Sequence, residues 1–157
     1  SSSFKEHPDG LLPYSERCRI IYDATKNIEG LGLSTMENEL EPPHYTANTL
    51  RFLKEKNPDD EFTVIMGGDN FADIESFHDS QYILNNFHIL VLYRGDRSKI
   101  YDILFSHTEA KIKVVDGAPE TTLSSTFIRE QLLAGKDIST YVPSSVDITA
   151  LNKWFTD

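Results

Sequence analysis

The stretch Glu61-Phe-Thr-Val-Ile-Met-Gly-Gly-Asp-Asn70 joins a predicted strand to a turn that can hold a ligand. Its first half is apolar or β-branched without strict alternation, which is typical of a parallel-sheet strand covered on both faces. Gly67 and Gly68 then end the strand and allow close approach to the backbone. Asp69 adds a carboxylate at the carboxyl end, where open α/β sheets bind ligands. The same residues also fit a plain turn before the next helix, and both interpretations stay open at this point.

Length and charge limit the class of protein. The chain has 157 residues, so we expect residues 1–157 to form a single domain with its own core. Lys and Arg number 15 and Asp and Glu 25, which gives a formal net charge of −10. Such an acidic chain is not expected to bind nucleic acid or an anionic membrane. An anionic small molecule would need local donors for its phosphates, such as helix N-termini and a few arginines.

Cysteine usage and the first residues bear on the compartment. The single Cys18 cannot form a disulfide within the chain, which favours a reducing compartment. No apolar run reaches membrane-spanning length, and the start lacks the pattern of a secretion signal. We therefore expect a cytoplasmic protein. Residues 1–10 have a loop pattern with no initiator Met and no preceding strand, so we also expect an N-terminally incomplete domain.

The first predicted helix begins near Pro13. Tyr14, Cys18, Ile21 and Thr25 recur at helical spacing and predict its inward face. The arginines of this helix lie off that stripe, and we expect them to be solvated surface charges.

A second helix is predicted after an edge-type strand at 33–40. Thr46 is placed to cap this helix, whose start could also bind an anion. Leu50 and Leu53 are predicted to face inward, and the helix to end at Asn57-Pro58.

Helix and strand patterns alternate after the central stretch. Residues 71–84 predict one or two short helices, and residues 88–93 predict a second buried strand that Arg94 follows. A helix is predicted over 98–105 and a third strand over 111–115. This order predicts an α/β fold, with a Rossmann-like parallel sheet, right-handed crossovers and flanking helices.

A helix is predicted to begin within Ser124-Ser-Thr-Phe-Ile-Arg129 and to end at Gly135. Hydroxyl side chains at a helix start are ordinary caps, so the triplet alone is weak evidence for a ligand. Arg129 lies four residues after Ser125, over the same helix face, so one phosphate could meet amides, a hydroxyl and a guanidinium together. The last predicted helix has a serine cap and an apolar face, formed by Ser144 or Ser145 and by Val146, Ile148, Leu151 and Trp154.

Several motifs, in their order along the chain, resemble those of one enzyme family. They are Pro43-His-Tyr-Thr-Ala-Asn-Thr-Leu50, Ile65-Met-Gly-Gly-Asp69, Phe77-His78, Leu123-Ser-Ser-Thr-Phe-Ile-Arg129 and Tyr141-Val-Pro143. Together they resemble the bacterial nicotinate mononucleotide adenylyltransferases of the nucleotidyltransferase superfamily, over nearly the whole chain. Each motif is weak alone, whereas the ordered set at these spacings is specific.

The resemblance implies transfer of an adenylyl group from ATP to nicotinate mononucleotide, with Mg²⁺, to give deamido-NAD and pyrophosphate in NAD biosynthesis. The family aligns its substrates and neutralises their charge without a covalent enzyme intermediate. Its sequences begin with a strand, a Gly-rich turn and a His-x-Gly-His motif that binds the ATP phosphates, and the 157 residues do not contain this motif. The resemblance therefore implies that this chain alone is inactive or slowed.

The resemblance also implies an acceptor site. Tyr45 and Thr46 would hold the nicotinate end of the mononucleotide, and Asp69, with Gly67, would bind ribose hydroxyls. The aromatic residues of this site are Phe77, which stands where the family has a Trp that stacks on the pyridine ring, and His78 beside it. On pattern alone, a single aromatic residue at this place is more often part of the core than a platform for a ligand.

On the ATP side, the resemblance implies a phosphate site at the start of one helix. Its residues would be Ser124, Ser125, Thr126 and Arg129, with catalytic roles for Ser125 and Arg129. Separately from this phosphate site, the resemblance implies two further substrate-binding residues. Lys5 stands at a phosphate-contacting basic position, and Arg94 resembles the arginine of an Arg-Pro-Gly turn without the Pro. The resemblance assigns no metal-ligating residue to this chain.

Alternatives remain for both substrate and class. His44 and Asn48 depart from the family's usual Ser and Asp, so the acceptor could be nicotinamide mononucleotide or another phosphorylated molecule. A non-catalytic nucleotide-binding domain is the alternative from a different class. ATP and nicotinate mononucleotide are the expected partners, and the sequence leaves homo-oligomer formation open.

Overall fold

The computed structural model describes residues 12–93, 97–115 and 123–156, with side chains up to 152. These residues form two compact units, one built on 36–93 and 97–115 and the other on 12–35 and 123–156. The single domain expected over 1–157 stays a prediction.

The first unit contains a three-stranded sheet. Its strands are β1 (Thr63–Gly67), β2 (His88–Leu92) and β3 (Ile112–Val115), in the order β1-β2-β3. Both pairs are parallel, so the carboxyl ends of all three strands lie at one edge. The predicted parallel sheet and the positions of its strands are confirmed.

Helices precede and connect these strands. They are α2 (Thr46–Lys56), a 3₁₀ helix at Met36–Glu39 before it, α3 (Gly68–Phe71), a 3₁₀ helix at Ile74–Ser76, α4 (Ser80–Asn86) and α5 (Arg97–Ser106). The inward face of α2 is confirmed, because Leu50 is buried and Leu53 packs against the same core. That helix ends at Lys56, as the following Asn57-Pro58 predicted.

One face of the sheet carries the main core. Ile89 and Val91 of β2 are buried there, and Val64 and Met66 of β1 pack beside them. Alternation sends Ile65 to the opposite face, where it is 62% exposed. The prediction that β1 is covered on both faces is therefore wrong: β1 is an edge strand of the described sheet and alternates between core and solvent.

The second unit has its own core, formed by helices α1 (Tyr14–Thr25), α6 (Ser125–Leu133) and α7 (Ile148–Thr156) and the segments beside them. Its buried residues are Leu132, Ile138, Val146 and Leu151. From α1, Ile20 and Ala24 pack against this core, whereas Tyr14 and Ile21 are exposed. The predicted inward face of α1 is therefore wrong, because helical spacing alone does not choose between two neighbouring stripes of mixed polarity.

The strand predicted at 33–40 is also wrong. Met36–Glu39 is a 3₁₀ helix, and Leu40 N donates a hydrogen bond to Glu37 O at 3.1 Å within this turn. Thr49 Oγ1 on α2 donates to Glu37 Oε1 at 3.0 Å, which fastens the turn to that helix. A strand needs a neighbouring strand for its backbone groups, whereas this turn pairs Leu40 N with a carbonyl three residues earlier.

The ends of the last two helices differ in how well they were predicted. Gly135 has a φ of +67°, and bonds from Gly135 N to Leu132 O and from Lys136 N to Gln131 O complete a Schellman motif after α6. The predicted end of α6 at Gly135 is therefore confirmed. The serine cap predicted for α7 is wrong, because Asp147 Oδ1 accepts from Ala150 N at 3.1 Å and α7 begins directly after it.

No helix within the described residues is long and apolar enough to cross a membrane.

Candidate active site

The end of β1 brings a glycine and a carboxylate together. Gly67 has extended backbone angles and precedes α3, and Asp69 is an exposed residue in the first turn of that helix. A Cβ atom on Gly67 would lie 2.5 Å from Asp69 Oδ1. A glycine is therefore needed at position 67 because the Asp69 carboxylate occupies the space that a Cβ atom would take, and not because of an unusual φ.

The start of α2 places Tyr45 just before the helix. Tyr45 is the extended N-cap residue, and its carbonyl accepts hydrogen bonds from Asn48 N at 3.0 Å and Thr49 N at 3.1 Å. Thr46 is the first helical residue, and no side-chain hydrogen bond caps this helix. The prediction of Thr46 as the N-cap is therefore wrong, because the bend from extended to helical backbone occurs one residue earlier.

The structure brings Tyr45 and His78 together. Their ring centroids lie 4.2 Å apart with the planes inclined by 25°, which is a stacked arrangement. His78 is exposed, whereas Phe77 is half-buried and packs against the main core. The exposed aromatic surface beside Tyr45 is thus provided by His78.

Arg51 on α2 joins that helix to the start of α4. Its guanidinium forms an ion pair with Asp79, the residue after His78. It also donates to Asn48 Oδ1 at 3.2 Å and lies 4.0 Å from the centre of the Tyr82 ring. Neither Arg51 nor Asp79 is predicted as a site residue from the sequence, because 28 positions separate them and nothing local signals the pairing.

His44 carries an unsatisfied polar atom next to Tyr45 in the chain. Within the described ranges, His44 Nδ1 and Arg17 Nε are the buried side-chain nitrogens that lack a hydrogen-bond partner. Leaving such an atom unpaired costs about 1–3 kcal/mol. Such atoms are rare in folded proteins, and this one belongs to the residue directly before Tyr45, a candidate binding residue.

The second unit holds the predicted phosphate-binding residues on one helix end. Ser124 is the N-cap of α6, and its Oγ accepts from Phe127 N at 3.0 Å. Ser125 and Thr126 lie exposed in the first turn, and Arg129 lies partly buried one turn later. The hydroxyls and the guanidinium are therefore on the same helix, as the spacing predicted.

Other predicted positions are not brought together by these contacts. Lys5 and Arg94 lie outside the described residues. Asp69 and Arg129 belong to different units, so their convergence on one pocket stays a prediction. Among the residues that the structure describes, no group of three or more His, Cys, Asp or Glu side chains could hold a metal ion.

No protein-family model matches the sequence. Individual relatives do. A protein of Flavobacterium johnsoniae named "Probable nicotinate-nucleotide adenylyltransferase" is 38% identical over 136 residues, which are 87% of this chain and 69% of that protein. The chain belongs to the nicotinate-nucleotide adenylyltransferase family. A Flavobacterium psychrophilum protein of the same name is 36% identical over 88% of this chain and 70% of its own length. Membership makes the chain a nucleotidyltransferase.

Solved structures support the fold of this adenylyltransferase family member. Plasmodium falciparum nicotinic acid mononucleotide adenylyltransferase complexed with APC has a TM-score of 0.67 at 22% identity, over 94% of this chain and 78% of that one. The same enzyme complexed with NaAD has a TM-score of 0.69 at 21% identity, over 97% and 79%. At these identities the likeness shows the Rossmann-like α/β fold.

Proposed function

We propose that this chain transfers an adenylyl group from ATP to nicotinate mononucleotide, giving deamido-NAD and pyrophosphate in NAD biosynthesis in the cytoplasm. The observation that carries this proposal is the 38% identity to a nicotinate-nucleotide adenylyltransferase over 87% of the chain. In the reaction a phosphate oxygen of the mononucleotide attacks the α-phosphorus of ATP. A new P–O bond forms, the bond between the α-phosphorus and the bridging oxygen breaks, and pyrophosphate leaves.

The acceptor would bind at the first unit. The stacked rings of Tyr45 and His78, 4.2 Å apart, offer an aromatic surface of the kind on which a pyridine ring stacks. Thr46 follows Tyr45 at the start of α2 and would contact the nicotinate end. Asp69, at the carboxyl end of β1, would accept hydrogen bonds from ribose hydroxyls.

The ATP phosphates would bind at the start of α6. Backbone amides at a helix N-terminus favour an anion, and Ser125 and Thr126 add exposed hydroxyls there. Arg129 would neutralise charge that develops on the phosphates as pyrophosphate leaves. Because the reaction depends on alignment and charge neutralisation, it needs no nucleophile and base pair. Mg²⁺ would enter bound to the ATP phosphates, as part of the co-substrate.

Calorimetric titration tests the acceptor and the reaction together. The purified protein is titrated with nicotinate mononucleotide and with nicotinamide mononucleotide, and deamido-NAD and pyrophosphate are then quantified with MgATP present. We expect tighter binding of the acid and formation of the two products in equal amounts, at a slowed rate because the 157 residues do not contain the His-x-Gly-His motif. Tighter binding of the amide would overturn the assigned acceptor, and nucleotide binding without either product at any protein concentration would overturn adenylyl transfer by these 157 residues.

A further inference from the structure

The segment that carries His78 is anchored to the first unit at its beginning. Ile74 is fully buried in the main core, and Phe77 packs against that core. Glu75 Oε1 lies 2.8 Å from His107 Nε2, in the turn after α5. These contacts fix the path of the chain up to His78.

The end of the same segment is held by Arg51. Its guanidinium pairs with Asp79 and lies over the Tyr82 ring, with 4.0 Å between its central carbon and the ring centre. The bond from Arg51 to Asn48 Oδ1 orients the guanidinium from its own helix. Three contacts of different kinds therefore set one orientation of this side chain.

Asp79 has an unusual backbone conformation. Its φ is 52° and its ψ 45°, and it is the non-glycine residue with a positive φ among those that the structure describes. Asp tolerates this left-handed region better than most residues. The conformation turns the chain directly after His78, so a contact that holds Asp79 also restricts where the His78 ring lies.

We infer that Arg51 is a positioning residue, which through Asp79 holds the His78 ring against Tyr45 and so shapes the surface that receives the acceptor's pyridine ring. The inference rests on the proposed function for the identity of that ligand. Tyr45 is the N-cap of α2 and Arg51 lies in its second turn. One helix therefore supplies both the ring on which His78 stacks and the cation that pairs with Asp79. The ring pair contains His78 and the ion pair contains the next residue, Asp79.

Two substitutions break the contact with little effect on the fold. The side chains of Arg51 and Asp79 are 35% and 40% exposed, so their ion pair contributes little to global stability and both variants should fold. Arg51→Met keeps an unbranched stem over Tyr82 and removes the charge. Asp79→Asn keeps a residue that tolerates the left-handed backbone and removes the carboxylate.

The ring protons of His78 report the geometry without any ligand. Stacking on Tyr45 shifts their NMR resonances, and we expect both variants to move these resonances toward those of an unstacked imidazole. The dissociation constant for nicotinate mononucleotide should rise about fivefold in each variant, and by no more in the double variant. The dissociation constant for MgATP should stay within about twofold.

Lys54→Met is the matched control. It removes another exposed cation from α2. The Lys54 ammonium donates to Pro58 O and Asp60 O, which lie just after the end of that helix. This variant should leave both the His78 resonances and nucleotide binding unchanged. His78 resonances that stay in place in Arg51→Met overturn the inference. Shifted resonances with unchanged binding of the acid mononucleotide uphold the positioning role and overturn the acceptor site under the proposed function.

Discussion

Gly67 and Asp69 approach so closely that a Cβ atom at position 67 would lie 2.5 Å from Asp69 Oδ1. The atom in the way is the end of a flexible side chain, so a substitution would displace the carboxylate rather than the backbone. Gly67→Ala should therefore change the free energy of unfolding by less than about 1 kcal/mol in urea titrations. Affinity for the acceptor should fall about tenfold, measured by calorimetry. In an Asp69→Ala background the same substitution should have no further effect on affinity, since the displaced group is absent.

Asp69→Asn tests the assigned contact with ribose. A hydrogen bond to a charged group contributes about 1.5–3 kcal/mol, which corresponds to a loss of about 10- to 100-fold in affinity for nicotinate mononucleotide. The measurement is calorimetric titration of folded variants. Asp73→Asn removes another exposed carboxylate, four positions later in the chain, and should bind as the original chain does. Equal effects of the two variants would indicate a general charge effect and contradict the assignment.

Arg129→Met tests the ATP side. Removing a group that neutralises charge in the transition state typically costs about 10²–10³-fold in kcat. We expect a loss of this size in product formation, with binding of nicotinate mononucleotide unchanged. Lys136→Met, which removes an exposed cation beyond the end of α6, serves as the control. A loss of acceptor binding in Arg129→Met, with ATP binding intact, would contradict the proposed role.

Gly135→Ala tests the end of α6. An L-residue in the left-handed region costs about 1–2 kcal/mol, and Gly135 has a φ of +67° with no atom near its Cβ position. The free energy of unfolding should fall by about this amount in urea titrations. Gly32→Ala is the control, because position 32 has open space and no positive φ. A decrease of the same size at position 32 would mean that the helix end is not responsible.

Asp137 should give the second unit a pH dependence in acid. Hydrogen bonds from Ser139 N at 2.8 Å and Ser139 Oγ at 2.9 Å lower the pKa of its carboxyl below the ordinary 3.8. Because the pKa of Asp137 is depressed in the folded state, its hydrogen bonds stabilise the second unit fully above pH 3.8. This stabilisation is lost as the pH falls through the folded-state pKa. An NMR titration of the Asp137 carboxyl should show the lowered midpoint, and Ser139→Ala should raise it. An unchanged midpoint in Ser139→Ala would show that the hydroxyl is not a cause.

Local rules predicted much of the fold. The strand patterns at 88–93 and 111–115 and the glycine after α6 are confirmed, because hydrophobic pattern and left-handed backbone are properties of a few neighbouring residues. The face of α1, the strand at 33–40 and the caps at Thr46 and before α7 were wrong. The face of α1 depends on the core against which that helix packs. The turn at 36–39 and the two helix starts are instead set by local backbone bends and by hydrogen bonds between residues three positions apart.

The candidate site, too, was predicted from the sequence only in part. The family and the roles proposed for Tyr45, Asp69 and Arg129 came from motifs, whereas the pairing of Arg51 with Asp79 came from the structure. The sequence by itself determined the alternation of strands and helices and the residues that follow each strand. Only the tertiary structure decided that His78 stacks on Tyr45, that Phe77 packs against the core and that Ile65 faces solvent. The physical reason is that backbone preference acts over a few residues, whereas side-chain packing depends on whichever distant element occupies the neighbouring space.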